Sequence, residues 1–328
     1  MRNVLVTGGT GFVGSNLALA LVHRGCHVRI LRRPNSNLHA IGDADVEHCL
    51  GDVRDEASLS RAMKGCDTVF HTAAIVSYWR REREEMYEVN INGTRNIVRA
   101  CLLHGVEKLV HTSSIAAIGF RRNGGEADED NEFNWEQYDV GYRISKHRAE
   151  QEILRGVKLG LAAVIVNPSV IIGPRDIHFH GGQIVRDVYR KRVFYYIQGG
   201  INVVSVEDVV NGHLQAARRG RTGERYILSG ENLTHREIFS ITAEEVGGIP
   251  PFFRLPLIIA RTVGVGAEVL GEIAGGRPWI TRELLAGAGL FNYYTCRKAE
   301  QELRYSHTSF REAVRRTFEW YKLHGYLK

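Results

Sequence analysis

The segment that most constrains this chain is Thr7-Gly8-Gly9-Thr10-Gly11-Phe12-Val13-Gly14, which follows the apolar burst Val4–Val6 and opens an amphipathic stretch over residues 12–24. A strand, a glycine-rich turn and a helix in immediate succession make the phosphate-gripping start of a βαβ unit. Gly8 allows the tight turn, Gly11 lets backbone approach a pyrophosphate, and Gly14 lets the helix lie close to the sheet. Unpaired N–H groups and the positive end of the helix dipole then face the phosphates. The loop, with Thr10, Phe12 and Val13 inside it, reads as a dinucleotide-binding turn.

The same rhythm continues downstream. Val28–Leu31, Val46–Leu50, Thr68–His71, Lys108–Thr112 and Ala162–Val166 read as strands, and the stretches 12–24, 55–64, 86–104 and 142–158 read as helices. Such alternation predicts an α/β fold, a doubly wound parallel sheet (Rossmann fold) covered on both faces. After Asn167-Pro168 the pattern changes to helices near 206–219, 234–246, 256–273 and 309–324, separated by short strands. The expected division is a dinucleotide-binding domain over 1–166 and a smaller, mainly helical substrate lobe over 167–328, with segments of the lobe returning to the first domain.

Composition narrows the class. Of the 328 residues, 44% are hydrophobic and 24% charged, which excludes a disordered chain, a fibre and a long coiled coil. Lys plus Arg is 43 against 37 for Asp plus Glu, a net +6 that suits anionic ligands but is too mild for nucleic acid. Five widely spaced cysteines without a CxxC pair argue against disulfides and zinc and fit reduced thiols. The longest apolar stretch, near 160–173, is too short to span a bilayer, and the first residues read as a strand rather than a leader. A cytoplasmic protein with no membrane span is expected.

The cofactor's identity turns on the end of the second strand. An NAD site places Asp or Glu there for the ribose hydroxyls. This chain has no acidic residue before Asp43 and ends that strand in Leu31-Arg32-Arg33-Pro34. Guanidinium groups pair with a 2′-phosphate that a carboxylate would repel, so Arg32 and Arg33 favour NADP, with NAD as the alternative. In Gly51-Asp52-Val53, Asp52 stands either at the adenine edge or as an N-cap for the next helix.

Tyr142 and Lys146 lie four residues apart, on one helix face. A free phenol, with a pKa of about 10, is a poor acid–base group at neutral pH, and a fixed ammonium beside it favours the phenolate. Ser114 ends the fifth strand, where ligands of open α/β sheets bind, and its hydroxyl can polarise a carbonyl while Tyr142 moves the proton.

Glycine loop, strand-end serine and Tyr-x-x-x-Lys occur in this order, and on them the chain resembles the extended short-chain dehydrogenase/reductase family, of NAD-dependent epimerase/dehydratase type. The resemblance implies Ser114, Tyr142 and Lys146 as the catalytic triad, and Lys146 and Tyr142 also near the nicotinamide ribose. It implies Asp52 and Val53 at the adenine, Thr72, Ala73 and Ala74 along the cofactor, Asn90 in VNINGTRN at the cofactor or an ordered water, and Pro168 and Ser169 closing over the nicotinamide. Tyr78, Trp79, Phe120, His178 and Phe179 take the positions of pocket residues. Segments such as VRILRRPNSNL, HTAAIVSYW and GPRDIHF look closest to dihydroflavonol reductase-like proteins and the hopanoid-associated sugar epimerase branch. The resemblance also implies a homodimer through the helices near 86–104 and 142–158.

Three further segments carry weaker signals. His178 and His180 lack an evident third ligand, so no metal is expected. Arg186, Arg190, Lys191 and Arg192 face either an anionic substrate group or solvent. Glu126–Glu136 reads as a solvated loop, and the amphipathic Leu255–Ile273 reads as a core helix rather than a membrane contact. The expected activity is reduction of a ketone or aldehyde with Tyr142 as general acid. The alternatives are a nucleotide-sugar epimerase working by transient oxidation with bound NAD, and a non-catalytic NAD(P)-binding regulator. Ile115-Ala116, in place of an Asp-Glu pair after the strand-end hydroxyl, argues against a 4,6-dehydratase. The expected partner is a small carbonyl or sugar-type molecule.

Overall fold

Val4 and Val6 point to one face of the first strand and Leu5 to the other, and all three are fully buried. A strand buried on both faces belongs in the middle of a covered parallel sheet. The computed structural model, which describes residues 1–278 and 280–327, places it there. The first half runs β1 (Asn3–Thr7), α1 (Phe12–Val22), β2 (His27–Arg32), β3 (Glu47–Leu50), α2 (Glu56–Met63), β4 (Thr68–His71), α3 (Arg83–Tyr87), α4 (Gly93–Leu103), β5 (Lys108–Thr112), α5 (Gly141–Lys158) and β6 (Ala163–Pro168). The second half runs β7 (Val170–Ile172), α6 (Gln183–Tyr189), β8 (Tyr195–Tyr196), β9 (Gly200–Ser205), α7 (Val206–Arg219), β10 (Arg225–Leu228), β11 (Glu231–Thr234), α8 (His235–Val246), β12 (Phe253–Arg254), α9 (Leu257–Ala274), α10 (Arg282–Leu285), β13 (Phe291–Asn292), α11 (Arg297–Leu303) and α12 (Phe310–Leu323).

Seven strands form the main sheet in the order β10-β6-β5-β4-β1-β2-β3, every pair parallel. The order reverses between β1 and β4, the switch point at whose carboxyl edge such sheets bind ligands. One core lies on the face of Val4, Val6, Ile30 and Val110 and takes Leu17 and Leu21 from α1 and Leu214 from α7. The other lies on the face of Leu5, Val69 and Leu109 and takes Leu59, Ile97 and Ile153 from α2, α4 and α5. β10 and α7 belong to the second half of the sequence, yet they complete this sheet and its cover. A smaller sheet of β7, β9, β11 and β13 carries α6, α8 and α12 on a third core around Val188, Ile238 and Val314.

Three expectations change. The helix expected over 86–104 begins at Arg83 and is interrupted by a π turn over Glu88–Asn92. The extra residue of such a turn re-aims side chains, here that of Asn90. The acidic segment Glu126–Glu136 is not simply solvated: Glu129 is buried and accepts the Ile227 N–H at 2.8 Å, and Trp135 is fully buried. α9 is not a core helix, for its large apolar residues face outward. No described helix is long and apolar enough to cross a membrane.

Candidate active site

The glycine turn is built so that only glycine fits. Gly8 sits at φ +69°, and a Cβ there would lie 2.8 Å from the Ala73 backbone. A Cβ on Gly14 would lie 2.1 Å from the carbonyl oxygen of Gly8. Gly11 is the N-cap of α1 and offers no side chain to its amides, which are left for a ligand. Phe12 and Val13 form the first helical positions, and Thr72 Oγ1 donates to the Thr7 carbonyl at 2.7 Å, joining the ends of β1 and β4.

A cleft of about 400 Å³ opens over this turn. It is lined by Gly8, Thr10, Gly11, Arg32, Arg33, Asp52, Val53, Thr72, Ala73, Ala74 and His178, all residues singled out in the sequence. Beside it a hollow of about 660 Å³ runs past Arg33, Asp52 and Arg61. Arg33 faces both, and its charge helps hold the Asp52 carboxyl below its ordinary range, after the larger effect of Arg54. Arg32 is differently engaged: its Nε donates to His48 Nδ1 at 2.8 Å. Asp52 is not the N-cap of α2, a place Asp55 takes by accepting from the Ala57 N–H at 3.0 Å. Both Asp52 oxygens accept from Arg54, at 3.0 and 2.8 Å.

A dinucleotide fits these residues. The turn has room for a pyrophosphate where any Cβ would intrude, and the cationic Arg32 and Arg33 line the same cleft. Ser169, just past Pro168 at the end of β6, is buried with an Oγ that has no partner among the described residues.

Ser114, Tyr142 and Lys146 lie near the Ile75 side of the cleft. Ile75 lines the cleft and packs with Tyr78 against Tyr142. The rings of Tyr78 and Tyr142 meet edge to face at 5.7 Å. Burial, with Tyr78 next, pushes the Tyr142 phenol well above its ordinary value, while a hydrogen bond with the Ser114 side chain works against this. The net direction is upward, where the Lys146 ammonium was expected to lower it. Lys146 is instead held by the strand: its Nζ donates to the Thr112 carbonyl oxygen at 2.8 Å. Burial lowers its pKa to about 8, and the Glu150 carboxylate opposes that.

Ser114 is fixed from both sides. Its Oγ accepts the Ala116 N–H at 3.1 Å, and its carbonyl accepts from Asn167 Nδ2 at 3.0 Å. The same amide group reaches the buried Glu150 at 2.6 Å. Asn90 spends its side chain on protein. Its Oδ1 accepts the Ile75 N–H at 2.8 Å and its Nδ2 donates to Ser145 Oγ at 2.9 Å, so it ties the β4 loop to α5.

The pocket residues divide. Tyr78 lies against Tyr142 and His178 lines the cofactor cleft, while Trp79 carries Arg81 over its ring at 5.7 Å. Phe120 and Phe179 pack on other rings: Phe120 on Trp135, at 4.4 Å between centroids, and Phe179 on Tyr321 at 5.1 Å beside the third core.

Residues missed in the sequence complete the site. Arg143 lies over the Trp135 ring at 3.4 Å, beside Tyr78, Tyr142 and Tyr294, and burial lowers its pKa. Its place directly after Tyr142 was the available signal. Glu150 repeats the four-residue spacing of Tyr142 and Lys146. Glu283 had no local signal: it accepts the Gly141 N–H at 2.8 Å from 142 residues away and binds Arg83 at 2.6 Å.

Comparison with known proteins agrees with this architecture. A protein from Synechocystis, provisionally named a dihydroflavonol 4-reductase, is 37% identical over 98% of this chain and 95% of its own length. Sterol demethylase protein B of Methylococcus capsulatus is 30% identical over 98% of both chains. The crystal structure of a nucleoside-diphosphate-sugar epimerase from Pseudomonas aeruginosa superposes with a TM-score of 0.83, at 25% identity, over 100% of this chain and 99% of the other. The family model described as NAD dependent epimerase/dehydratase matches residues 4–229, which hold the glycine turn, Ser114 and the Tyr142–Lys146 helix, and the chain belongs to that family.

Proposed function

We propose that the protein is an NADPH-dependent reductase that converts a ketone or aldehyde to an alcohol. The observation that carries this reading is the placement of the Tyr142 phenol, hydrogen-bonded with Ser114 and closed in by Tyr78, with burial disfavouring its ionised form. A protonated phenol in a buried site is an acid, and reduction needs an acid at the carbonyl oxygen. When bound, the reduced nicotinamide supplies the hydride to the carbonyl carbon. Ser114 orients the carbonyl oxygen, and Tyr142 gives it the proton as the alcohol forms. Lys146, one helical turn after Tyr142, holds the strand end at Thr112 and supplies a buried cation on the same helix. Arg33, joined by Arg61 along the same hollow, supports NADP over NAD.

The test is the cofactor that copurifies, followed by an NADPH-oxidation screen over ketones, aldehydes and nucleotide sugars. Net NADPH oxidation with a carbonyl compound is expected. Tightly held NAD with interconversion of a nucleotide sugar and no net oxidation would replace this reading with the epimerase. A homodimer through α4 and α5 is part of the proposal, and a monomer mass by light scattering would remove it.

A further inference from the structure

α9 is oriented in an unusual way for a helix in water. Its small residues face the protein: Ala260, Gly264 and Ala267 are buried, and a Cβ on Gly264 would lie 2.7 Å from Leu285 of α10. Its large apolar residues face outward. Ile258 is 72% exposed, Leu270 67% and Ile273 79%, with Val265 and Val269 in the same stripe. An amphipathic helix that packs for its own stability places these residues the other way round. A contiguous apolar face of this kind marks an interaction site.

The surface continues beyond the helix. The pairing of β8 with β12 sets Phe253 against Tyr195. Around that pair Phe194, Phe252 and Phe253 form an exposed cluster, with centroid separations of 5.6 to 6.5 Å, in which Phe252 is 74% exposed. Cations outnumber carboxylates along these segments. Lys191 and Arg192 precede the rings of 194–196, Arg254 and Arg261 flank the start of α9, and of the two carboxylates of α9, Glu268 and Glu272, Glu268 is buried and paired with Arg282. Lys191, Arg192, Arg254 and Arg261 are exposed.

We propose that α9 and the Phe194–Phe252–Phe253 cluster form a surface that docks on an anionic lipid bilayer. An apolar helix face, rings at its end and a rim of lysine and arginine match the layers of a membrane interface: acyl chains, the polar boundary and anionic headgroups. A protein partner would have to bury an apolar stripe while also neutralising the cations at its edge, a combination that an anionic bilayer offers without a special sequence. The helix lies in the plane of the surface and spans nothing, consistent with the hydropathy of the described helices. Docking would bring the membrane close to the site, because Glu268 of α9 accepts the Arg282 N–H of α10 at 3.0 Å, and the next residue, Glu283, binds Gly141 at the start of the catalytic helix. The surface stands independently of the proposed reaction.

The test is co-sedimentation of the full chain with vesicles of phosphatidylcholine alone and of phosphatidylcholine mixed with phosphatidylglycerol, with light scattering on the lipid-free protein. Binding to the anionic vesicles, weaker at high salt, is expected. Replacing Lys191, Arg192 and Arg254 by Ala should lower the partition coefficient about five-fold for each cation lost. Ile258→Asp with Leu270→Asp should abolish binding while leaving the thermal midpoint near that of the parent, since both positions are exposed. No binding to anionic vesicles, equal binding to both compositions, or an oligomer that dissociates in the Ile258→Asp, Leu270→Asp protein would each overturn the proposal, the last in favour of a second copy of the chain.

Discussion

Lys146 donates from Nζ to the carbonyl oxygen of Thr112 across 2.8 Å, a buried bond that joins α5 to the end of the fifth strand. The ammonium pays for its burial with a pKa lowered to about 8 from an ordinary 10.5. Between those values the unfolded chain holds a proton that the folded chain has released, so this group makes stability rise with pH through that window. Unfolding in urea at pH 8 and pH 10 should show the parent gaining on Lys146→Met by about 1 kcal/mol per pH unit. Identical pH dependence of the two proteins would contradict the depressed pKa.

Arg33 and Arg32 should not be equivalent, although the sequence presents them as a pair. Arg33 lines both hollows beside Asp52, whereas Arg32 is held by His48. Loss of a charge-assisted contact costs about 1.5–3 kcal/mol, so Arg33→Ala should weaken NADPH roughly 10- to 150-fold and leave NADH almost unchanged. Arg32→Ala should do less. Fluorescence titration of both variants with both cofactors decides, and equal loss for NADPH and NADH would remove the 2′-phosphate assignment.

Acid should loosen the protein through histidines that are buried and neutral. Burial lowers the pKa of His213 to about 4 and that of His71 to about 3. His213 Nδ1 donates to the Val209 carbonyl at 2.7 Å, which leaves Nε2 to accept from Thr112 Oγ1 at 2.8 Å. A base with a depressed folded pKa favours the folded state above its unfolded value of about 6.5 and loses that contribution as pH falls toward the folded value. The thermal midpoint should therefore drop between pH 7 and pH 5, and drop less in a His71→Gln, His213→Gln protein. Parallel declines would show that other groups govern acid sensitivity.

Local patterns revealed the parts of this site that chain neighbours build. The glycine turn, the Tyr142–Lys146 spacing and the apolar bursts of β1 to β6 are legible because each follows from a period or a turn within about ten residues. The packing of Phe120 and Phe179 was not legible, because an apolar ring in such a segment looks the same whether it lines a wall or fills a core. Trp135 and Tyr321, which capture those rings, are distant enough in space-forming contacts that no local period reports them. The outward face of α9 was hidden for the opposite reason: its amphipathic period is real, but the period alone does not say which side meets the protein. Glu283 at Gly141 could not be read, because the pair is closed only by the fold.

The central claim is that Tyr142 is the acid of the reaction, and Tyr142→Phe tests it most directly. The ring and its contact with Tyr78 remain, while the proton is removed. Once a substrate is found, steady-state turnover and cofactor titration should be measured on the parent and on this variant. Turnover is expected to fall by at least the ~10²–10⁴ that proton transfer supplies, with cofactor affinity nearly unchanged. Near-normal turnover in the Tyr142→Phe protein would contradict the account and leave the four-residue spacing of Tyr142 and Lys146 a coincidence of the helix face.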